Sequence, residues 1–330
     1  MRNQLEVFMH YRKLGRTGLE VSEIGYGAWG IGKDAWLGAE DDESLKALNT
    51  AIDHGLNFID TALAYGNGHS ERLVGRVVKE RDEKIYVATK IPPRNKIWPA
   101  PAGISADEAF PKDYVRECTE QSLANLGFEA LDVQQLHVWQ DDWVGDGGWL
   151  EAVEELKAEG KILNFGVSIN DHQPANAIKL IETGVVDTVQ VIYNVFDQSP
   201  EDELFAACIE HGVGVIVRVP FDEGALTGTI TPETTFEEGD FRNEYFKGER
   251  KKEVQDRVRA IVGELGVSED EIAEVALRYI LSHPAVSAVI PGMRSVRNVE
   301  RNMRVGDGKG LPEDQVQKLK AHRWVRNYYQ

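Results

Sequence analysis

Short apolar runs that read as β-strands alternate with amphipathic helical patterns along this chain, and the alternation repeats eight times. The strand candidates end near Gly27 (VSEIGYG), Asp60 (NFID), Lys90 (IYVATK), His137 (VQQLH), Ser168 (NFGVS), Ile192 (TVQVI), Val219 (GVIVRV) and Ile290 (SAVI). Helical patterns fall between and after them, over residues 43–54, 70–80, 112–126, 150–159, 173–183, 200–211, 269–282 and 295–304. In EDEIAEVALRYILSHP, for example, Ile272, Val275, Ala276, Tyr279 and Ile280 recur at spacings of three and four, and Pro284 marks the stop. Eight βα units in one chain favour a closed parallel (β/α)8 TIM barrel, with an open doubly wound sheet as the structural alternative.

Two segments stand outside the alternation. YRKLGRTGLEVSEIG has two short extended pieces around a Gly-Arg-Thr-Gly turn, which predicts an N-terminal hairpin closing one end of the barrel. Between the seventh strand and the helix from Glu269, residues 221–268 form a long insertion whose KKEVQDRVRAIVGEL reads as an extra helix. Long segments also follow strands three (91–111) and four (138–148), and loops of this length are usually functional or disordered. Residues 1–330 show no linker and no repeat, and are read as a single domain.

Composition narrows the function. A net charge of -18, from 37 basic and 55 acidic residues, argues against a nucleic acid partner, since phosphate binding needs a basic surface. No apolar stretch approaches the roughly 20 residues needed to span a bilayer, and the N-terminus lacks the three-part pattern of a signal peptide. The two cysteines, Cys118 and Cys208, sit among apolar neighbours in helical segments and read as reduced core thiols, which suits a cytoplasmic protein.

Asp60, Tyr65, Lys90 and His137 each stand at or just beyond the end of a strand candidate. Active sites of α/β proteins are built at the C-terminal ends of parallel strands. Taken singly, each residue has a plainer reading. Asp60 caps a turn, Tyr65 packs as a ring with a satisfied hydroxyl, Lys90 is a strand-end surface charge, and His137 is a half-buried, hydrogen-bonded histidine. Taken together they favour catalysis. A metal site using His69 and Glu71 with Asp60 and His137 matches no compact ligand spacing, so no metal is expected.

The order and spacing of YRKLGRTGLEVSEIGYGAW, NFIDTALAYGNGHSERLVG, IYVATK, the Leu-His of VQQLHVW, FGVS, VQVIYN and IPGMRSVRNVERN resemble the aldo-keto reductase family. The resemblance runs roughly from Tyr11 to Asn302, and its most specific part is the D-T-A-x-x-Y-G-x-G-x-S-E block combined with the later lysine and histidine. It implies a (β/α)8 barrel that binds NADPH (NADP+), with NADH possible, in extended form and without a Rossmann domain. The absence of a credible G-x-G-x-x-G between strand and helix agrees. It implies an oxidoreductase reducing an aldehyde, ketone or sugar-like carbonyl, a small-molecule partner. Two other classes stay open: a non-catalytic cofactor-sensing barrel within a protein assembly, as the potassium-channel β-subunits resemble this family, and a metal-dependent barrel isomerase or hydrolase.

Reducing a carbonyl requires a general acid within hydrogen-bond reach of its oxygen. A free tyrosine, with a pKa of about 10, is a weak acid for that task, and a nearby ammonium is expected to lower the value. By resemblance, Tyr65 is the proton donor, Lys90 tunes it, Asp60 positions Lys90, and His137 orients the carbonyl or assists proton transfer. Gly27, Ala28 and Trp29 (GYGAW) match the stretch beside the active site, and Ser168 and Gln190 match the positions that hold the nicotinamide carboxamide.

The sequence also departs from the family. The usual Ser-Asn pair is here Ser168-Ile169, with Asn170 one place late, and a stacking aromatic residue is replaced in Arg218-Val219-Pro220. Arg218 either stacks its guanidinium on the nicotinamide or pairs with an acidic neighbour such as Asp222. Phe221, Gly224, Leu226 and Gly228 of PFDEGALTG are expected to wrap the cofactor's diphosphate. Gly292 and Arg294 precede a helix whose N-terminus suits phosphate. Asn302 matches an adenine-contacting asparagine, and Asn298 stands where many NADP-dependent members carry arginine, leaving Arg294 to recognise a 2'-phosphate, while Arg297 either adds local positive charge or is a surface residue of an amphipathic helix. Trp29, Trp98, Trp139 and Trp143 are expected to line an aromatic substrate pocket, with Asp141, Asp142 and Asp146 as acceptors for substrate hydroxyls.

Overall fold

A computed structural model describes residues 9–33 and 38–325. Its main sheet has eight strands, β1 (Tyr26–Gly27), β2 (Phe58–Asp60), β3 (Tyr86–Ile91), β4 (Leu131–Trp139), β5 (Ile162–Ile169), β6 (Thr188–Ile192), β7 (Gly214–Arg218) and β8 (Val286–Val289), all parallel and in sequential order. Isolated parallel bridges Ile24↔Val289 and Gly27↔Gly292 join the first strand to the last, which closes the barrel. The eight expected strands are therefore present, each ending within two residues of its expected position.

Side-chain alternation along these strands divides the core in two. Ile59, Val87, Leu136, Val167, Val189, Val215 and Val217 point outward into one large cluster with the helices. The inward set comprises Phe58, Tyr86, Ala88, Val133, Ile216 and Ala288 at the N-terminal end, where it packs against Leu14 and Val21. Those two leucine and valine side chains belong to the antiparallel hairpin Tyr11–Lys13 and Glu20–Ser22, which plugs that end of the barrel as its turn sequence predicts.

The surrounding helices are α1 (Asp41–Asp53), α2 (His69–Lys79), α3 (Lys112–Leu126), α4 (Trp149–Ala158), α5 (Ile178–Glu182), α6 (Leu204–His211), α7 (Ile272–Leu281) and α8 (Val296–Met303). The expected helix over 173–183 is broken: a 3-10 turn, Pro174–Ala177, precedes α5, and Asn176 lies outside helical φ/ψ. The expected 200–211 helix likewise opens with a 3-10 turn, Ser199–Glu201, carrying Pro200. The extra helix of the insertion is Arg250–Leu265. Among the described residues three α-helices were not anticipated, Ala106–Ala109 with its Ser105/Glu108 capping box, Arg242–Tyr245, and the C-terminal Glu313–Lys320. Cys118 and Cys208 are free and buried, and burial pushes their thiols up to about 11 and about 12. Among the described residues no helix is long and apolar enough to cross a membrane.

The pairing of α2 with α3 turns on Gly75, where an added Cβ would lie 2.2 Å from the backbone oxygen of Leu126. A Gly→Ala change in an open helix gains up to about 1 kcal/mol from helix propensity, but overpacking against backbone costs about 1–3 kcal/mol and wins here. Gly75→Ala is therefore expected to lower the urea midpoint. Gly263→Ala, in a helix position with nothing within 4 Å of the new Cβ, is expected to leave it unchanged or raise it.

Candidate active site

The inward positions at the C-terminal end of the barrel are polar where the opposite end is apolar. Asp60 ends β2, Lys90 lies on β3, Gln135 and His137 on β4, Ser168 on β5, Gln190 on β6 and Arg218 at the end of β7. Strand register brings them level: Lys90 pairs with Gln135, His137 with Ser168, and Ser168 with Gln190. Period-two alternation thus assembles in space what the sequence spreads over some 160 residues.

Lys90 is fully buried, and its ammonium has three N–H donors and three acceptors. Nζ donates to Asp60 Oδ1 at 2.5 Å, to the Thr61 backbone oxygen at 2.8 Å and to the Tyr65 hydroxyl at 3.1 Å. The other Asp60 oxygen accepts from Gln190 Nε2 at 2.8 Å and Gln135 Nε2 at 3.3 Å. Burial on its own would push the Lys90 ammonium down, but Asp60 first and Tyr65 second hold it above the ordinary lysine value.

Tyr65 is placed by the turn between β2 and α2, where its N–H donates to Ala62 O at 3.0 Å and its carbonyl accepts from Ser70 N at 3.2 Å. Ser70 Oγ in turn donates to Ala28 O at 2.9 Å and contacts Thr61 Oγ1 at 2.8 Å, tying this turn to the one after β1. The expected lowering of the tyrosine pKa is not found. Burial raises the Tyr65 hydroxyl above its ordinary value, and Lys90 opposes this without overcoming it. Because Lys90 donates to the phenol oxygen, the hydroxyl's own hydrogen is left to point away from the lysine.

The His137 ring stands edge-on to Tyr65 at 6.3 Å and to Trp98 at 5.0 Å. Burial, with Lys90 and Arg218 nearby, holds the imidazole well below the ordinary histidine value, so it is neutral at pH 7. Its Nδ1 is buried without a partner, as are Ser168 Oγ and Gln190 Oε1. Buried polar atoms are normally satisfied, so three orphans within one polar layer mark a place built for a polar ligand. A carboxamide, with two donors and one acceptor, fits Ser168 Oγ and Gln190 Oε1 on their paired strands.

Several expectations about the rim are corrected. Trp139 and Trp143 are fully buried and line no pocket. They pack edge-on to one another at 5.8 Å, with Trp149 and Phe110 completing the cluster, and Trp143 Nε1 donates to Ile104 O at 2.9 Å. Asp141 is occupied by the N–H groups of Lys179 and Leu180 at the start of α5, and Asp146 by Ser105 and Ala106. Asn170 does not reach the barrel axis, because its amide clamps Ala100 N at 3.0 Å and Ala100 O at 3.1 Å. Of the four tryptophans, Trp98, 36 % exposed beside His137, and Trp29, edge-on to Phe241 at 5.9 Å, border the site.

Arg218 does pair with an acid, but the acid is Asp171. Its Nη2 donates to Asp171 Oδ1 at 2.5 Å and to Ile169 O at 2.9 Å, while Asp222 is taken by Arg250 and Tyr245. After β7, Pro220 and Leu226 are buried, Phe221, Gly224 and Gly228 are partly so, and Asp222, Glu223 and Gly224 all have positive φ. Burial, with Asp222 beside it, raises the Glu223 carboxyl to about 8. At the far side, Ser295 caps α8 by accepting from Asn298 N at 3.4 Å. Gly292, Arg297 and Asn298 are exposed, Asn302 is buried, and Arg294 packs its stem against Gly30. Among the described residues no three His, Cys, Asp or Glu side chains gather as metal ligands.

Gln135 and Asp171 were not singled out from sequence. Gln135 lies two residues before His137 on one strand, so the alternation carried a signal for it, whereas the Asp171 contact depends on a loop after β5 that no periodicity describes.

The family model for the aldo/keto reductase family matches residues 23–323. The aldo-keto reductase YhdN of Bacillus subtilis is 30% identical over 301 residues, 88% of this chain and 87% of that protein. The NADH-specific methylglyoxal reductase of Escherichia coli is 29% identical over 304 residues, 88% of this chain and 91% of that one. A solved aldo-keto reductase from Bacillus halodurans, in its holo form, superposes with a TM-score of 0.74 at 27% identity, covering 98% of this chain and 100% of that chain. A match across nearly the whole chain, on a barrel with this polar layer at its C-terminal end, places the protein in the aldo/keto reductase family, oxidoreductases that act on carbonyls with nicotinamide cofactors.

Proposed function

We propose that this protein reduces an aldehyde, ketone or sugar-like carbonyl to an alcohol, with NADPH as its cofactor and NADH as a possible second one, and with Tyr65 as the proton donor. The observation that carries this reading is the satisfied Lys90 ammonium, whose 3.1 Å bond to the Tyr65 oxygen leaves the phenol hydrogen directed elsewhere. Burial keeps the phenol protonated at neutral pH, which is the state an acid needs before reduction. As the proton leaves for the carbonyl oxygen, negative charge grows on the phenol oxygen beside Lys90, where the ammonium is already in place and no reorganisation is required. Asp60 and Thr61 O fix that ammonium. His137, neutral, offers a ring nitrogen to the same carbonyl oxygen without adding charge, and Trp98 forms the adjoining wall.

The nicotinamide cofactor, when bound, supplies the hydride. Ser168 Oγ and Gln190 Oε1 suit its carboxamide, and the orphaned state of both atoms supports that assignment. Gly27, Ala28 and Trp29 flank the same end of the barrel. Pro220, Phe221, Gly224, Leu226 and Gly228 are assigned to the diphosphate, and Asn302 to the adenine. Arg294 is assigned to a 2'-phosphate, which is what favours NADPH. The name of the Escherichia coli relative keeps NADH within the expected range and points to a small carbonyl.

Tyr65→Phe is expected to lower kcat by a factor of about 10² to 10⁴ across a carbonyl panel while leaving the cofactor Kd unchanged. Turnover equal to the wild type would remove Tyr65 from the acid role. Running that panel with both cofactors tests the Arg294 assignment: Arg294→Ala is expected to weaken NADPH more than NADH, and equal weakening would refute it.

Removing one member of the buried ion pair should show in stability as well as in turnover. Lys90→Met leaves the Asp60 charge uncompensated and is expected to cost about 3–5 kcal/mol, while Lys90→Met/Asp60→Asn recovers most of it. Since the folded Lys90 pKa is raised, the pair's contribution is complete below the unfolded value of 10.5 and is lost only as pH climbs through the folded value. Urea titrations at pH 7 should therefore show the full effect, and an additive double variant would argue against a coupled pair.

A further inference from the structure

Behind residues 221–228 stands a stack of side chains that the chemistry above does not use. Asp222, Glu223 and Gly224 have φ values of 48°, 57° and 107°. Left-handed backbone comes readily to glycine but not to aspartate and glutamate, and it persists only where the surroundings over-determine it. The Asp222 carboxylate is the handle: Oδ1 accepts the Tyr245 hydroxyl at 2.5 Å and Oδ2 accepts Arg250 Nη2 at 3.1 Å.

Arg250 is 4 % exposed, and its Nε and Nη1 have no hydrogen-bond partner. Ring faces hold it instead, with the guanidinium 4.6 Å from the Tyr245 ring centre and 4.8 Å from that of Trp324. Trp324 is itself anchored. Its backbone N–H donates to Phe196 O at 2.7 Å, its ring meets Phe196 edge-on at 5.4 Å, and Arg257 covers the ring at 4.1 Å. Arg323 beside it forms two bonds to Asp202. A chain of contacts thus runs from the C-terminal stretch to the turn after β7.

We infer that Trp324 is a positioning residue for the cofactor, acting through Arg250 and Asp222 to fix the left-handed turn of the segment assigned to the diphosphate. The inference rests on that cofactor assignment. Trp324 touches no reacting atom, so its loss acts on cofactor retention and spares the hydride step.

The test uses the full chain, with NADPH and NADH binding measured by calorimetry, NADPH release by stopped-flow cofactor fluorescence, and a single turnover at saturating NADPH. Trp324→Leu is expected to raise the NADPH Kd about tenfold, mainly through faster release, and Trp324→Phe about threefold, with single-turnover rates within about twofold of wild type. Adding Trp324→Leu to Arg250→Met should produce no further loss, because both act on one contact chain. Amide exchange at Leu226, whose N–H donates to Phe221 O at 2.9 Å, should quicken in the same variants.

Wild-type protein that binds neither cofactor would overturn the cofactor reading and this inference with it. Wild-type binding with unchanged Kd in Trp324→Leu and Arg250→Met would overturn this inference alone. Should Trp324→Leu fail to fold, Trp324→Phe decides: unchanged affinity and Leu226 exchange would overturn the role, and a rise in both would support it.

Discussion

A lysine and an aspartate facing one another inside the barrel, at 0% and 3% side-chain exposure, set the terms for everything around them. Taking both charges out of water costs several kcal/mol each, and their attraction offsets this only when the remaining donors and acceptors are satisfied too. Here they are. Lys90 has no N–H left over, and Asp60 divides its second oxygen between two glutamine amides. The closed barrel makes this possible, because inward positions of β2, β3, β4 and β6 converge on one axis, and the hairpin plug keeps water out from below. A partly satisfied version of the same network would be worse than an apolar core.

The pair also explains the division of labour at the site's rim. Once Lys90 is committed to Asp60 and Thr61 O, one N–H remains for Tyr65, which makes the phenol oxygen an acceptor and leaves its hydrogen free to be given away. Burial holds His137 neutral, and the same positive charge and then Arg218 add to that effect. One buried cation therefore pulls two neighbours in opposite senses, favouring negative charge on the phenol oxygen, where burial still outweighs it, and opposing a cationic imidazole, where it adds to burial. The acid and the orienting group differ by environment as much as by residue type.

Periodicity and strand ends made the barrel and its polar layer legible from sequence. Asp60, Lys90, His137 and Ser168 occupy the final inward positions of their strands and Gln190 the last but one, and period-two alternation as far as these residues predicts that. Tryptophan placement was not legible. Trp139 lies two residues beyond the inward His137, but the strand register shifts between them and turns it into the outer cluster, and Trp143 turns back to pack against Phe110, so both serve the wall. The acids of the following loop were misread for a related reason, since Asp141 and Asp146 find unpaired backbone N–H groups nearby and take those first. The partner of Arg218 was chosen by proximity in sequence, whereas the loop after β5 brings Asp171 nearer in space. The C-terminal helix carries few apolar residues and buries only Leu319, so its pattern was faint.

The strongly acidic composition poses one further constraint on binding an anionic cofactor. Cations near the proposed cofactor path carry their own carboxylates: Arg218 with Asp171, Arg242 with Asp240, Arg250 with Asp222. Each pair is close to neutral seen from a distance, so the net field that would draw in a dinucleotide is far weaker than the arginine count suggests. Local geometry must then do what long-range charge does not. The left-handed turn at Asp222, Glu223 and Gly224 matters through the path it gives the backbone of the segment assigned to the diphosphate, since the Asp222 and Gly224 N–H groups are themselves taken by Val219 O and Phe221 O. In a protein this acidic, the proposed grip on the cofactor's diphosphate thus rests on that backbone keeping its shape as well as on the arginines.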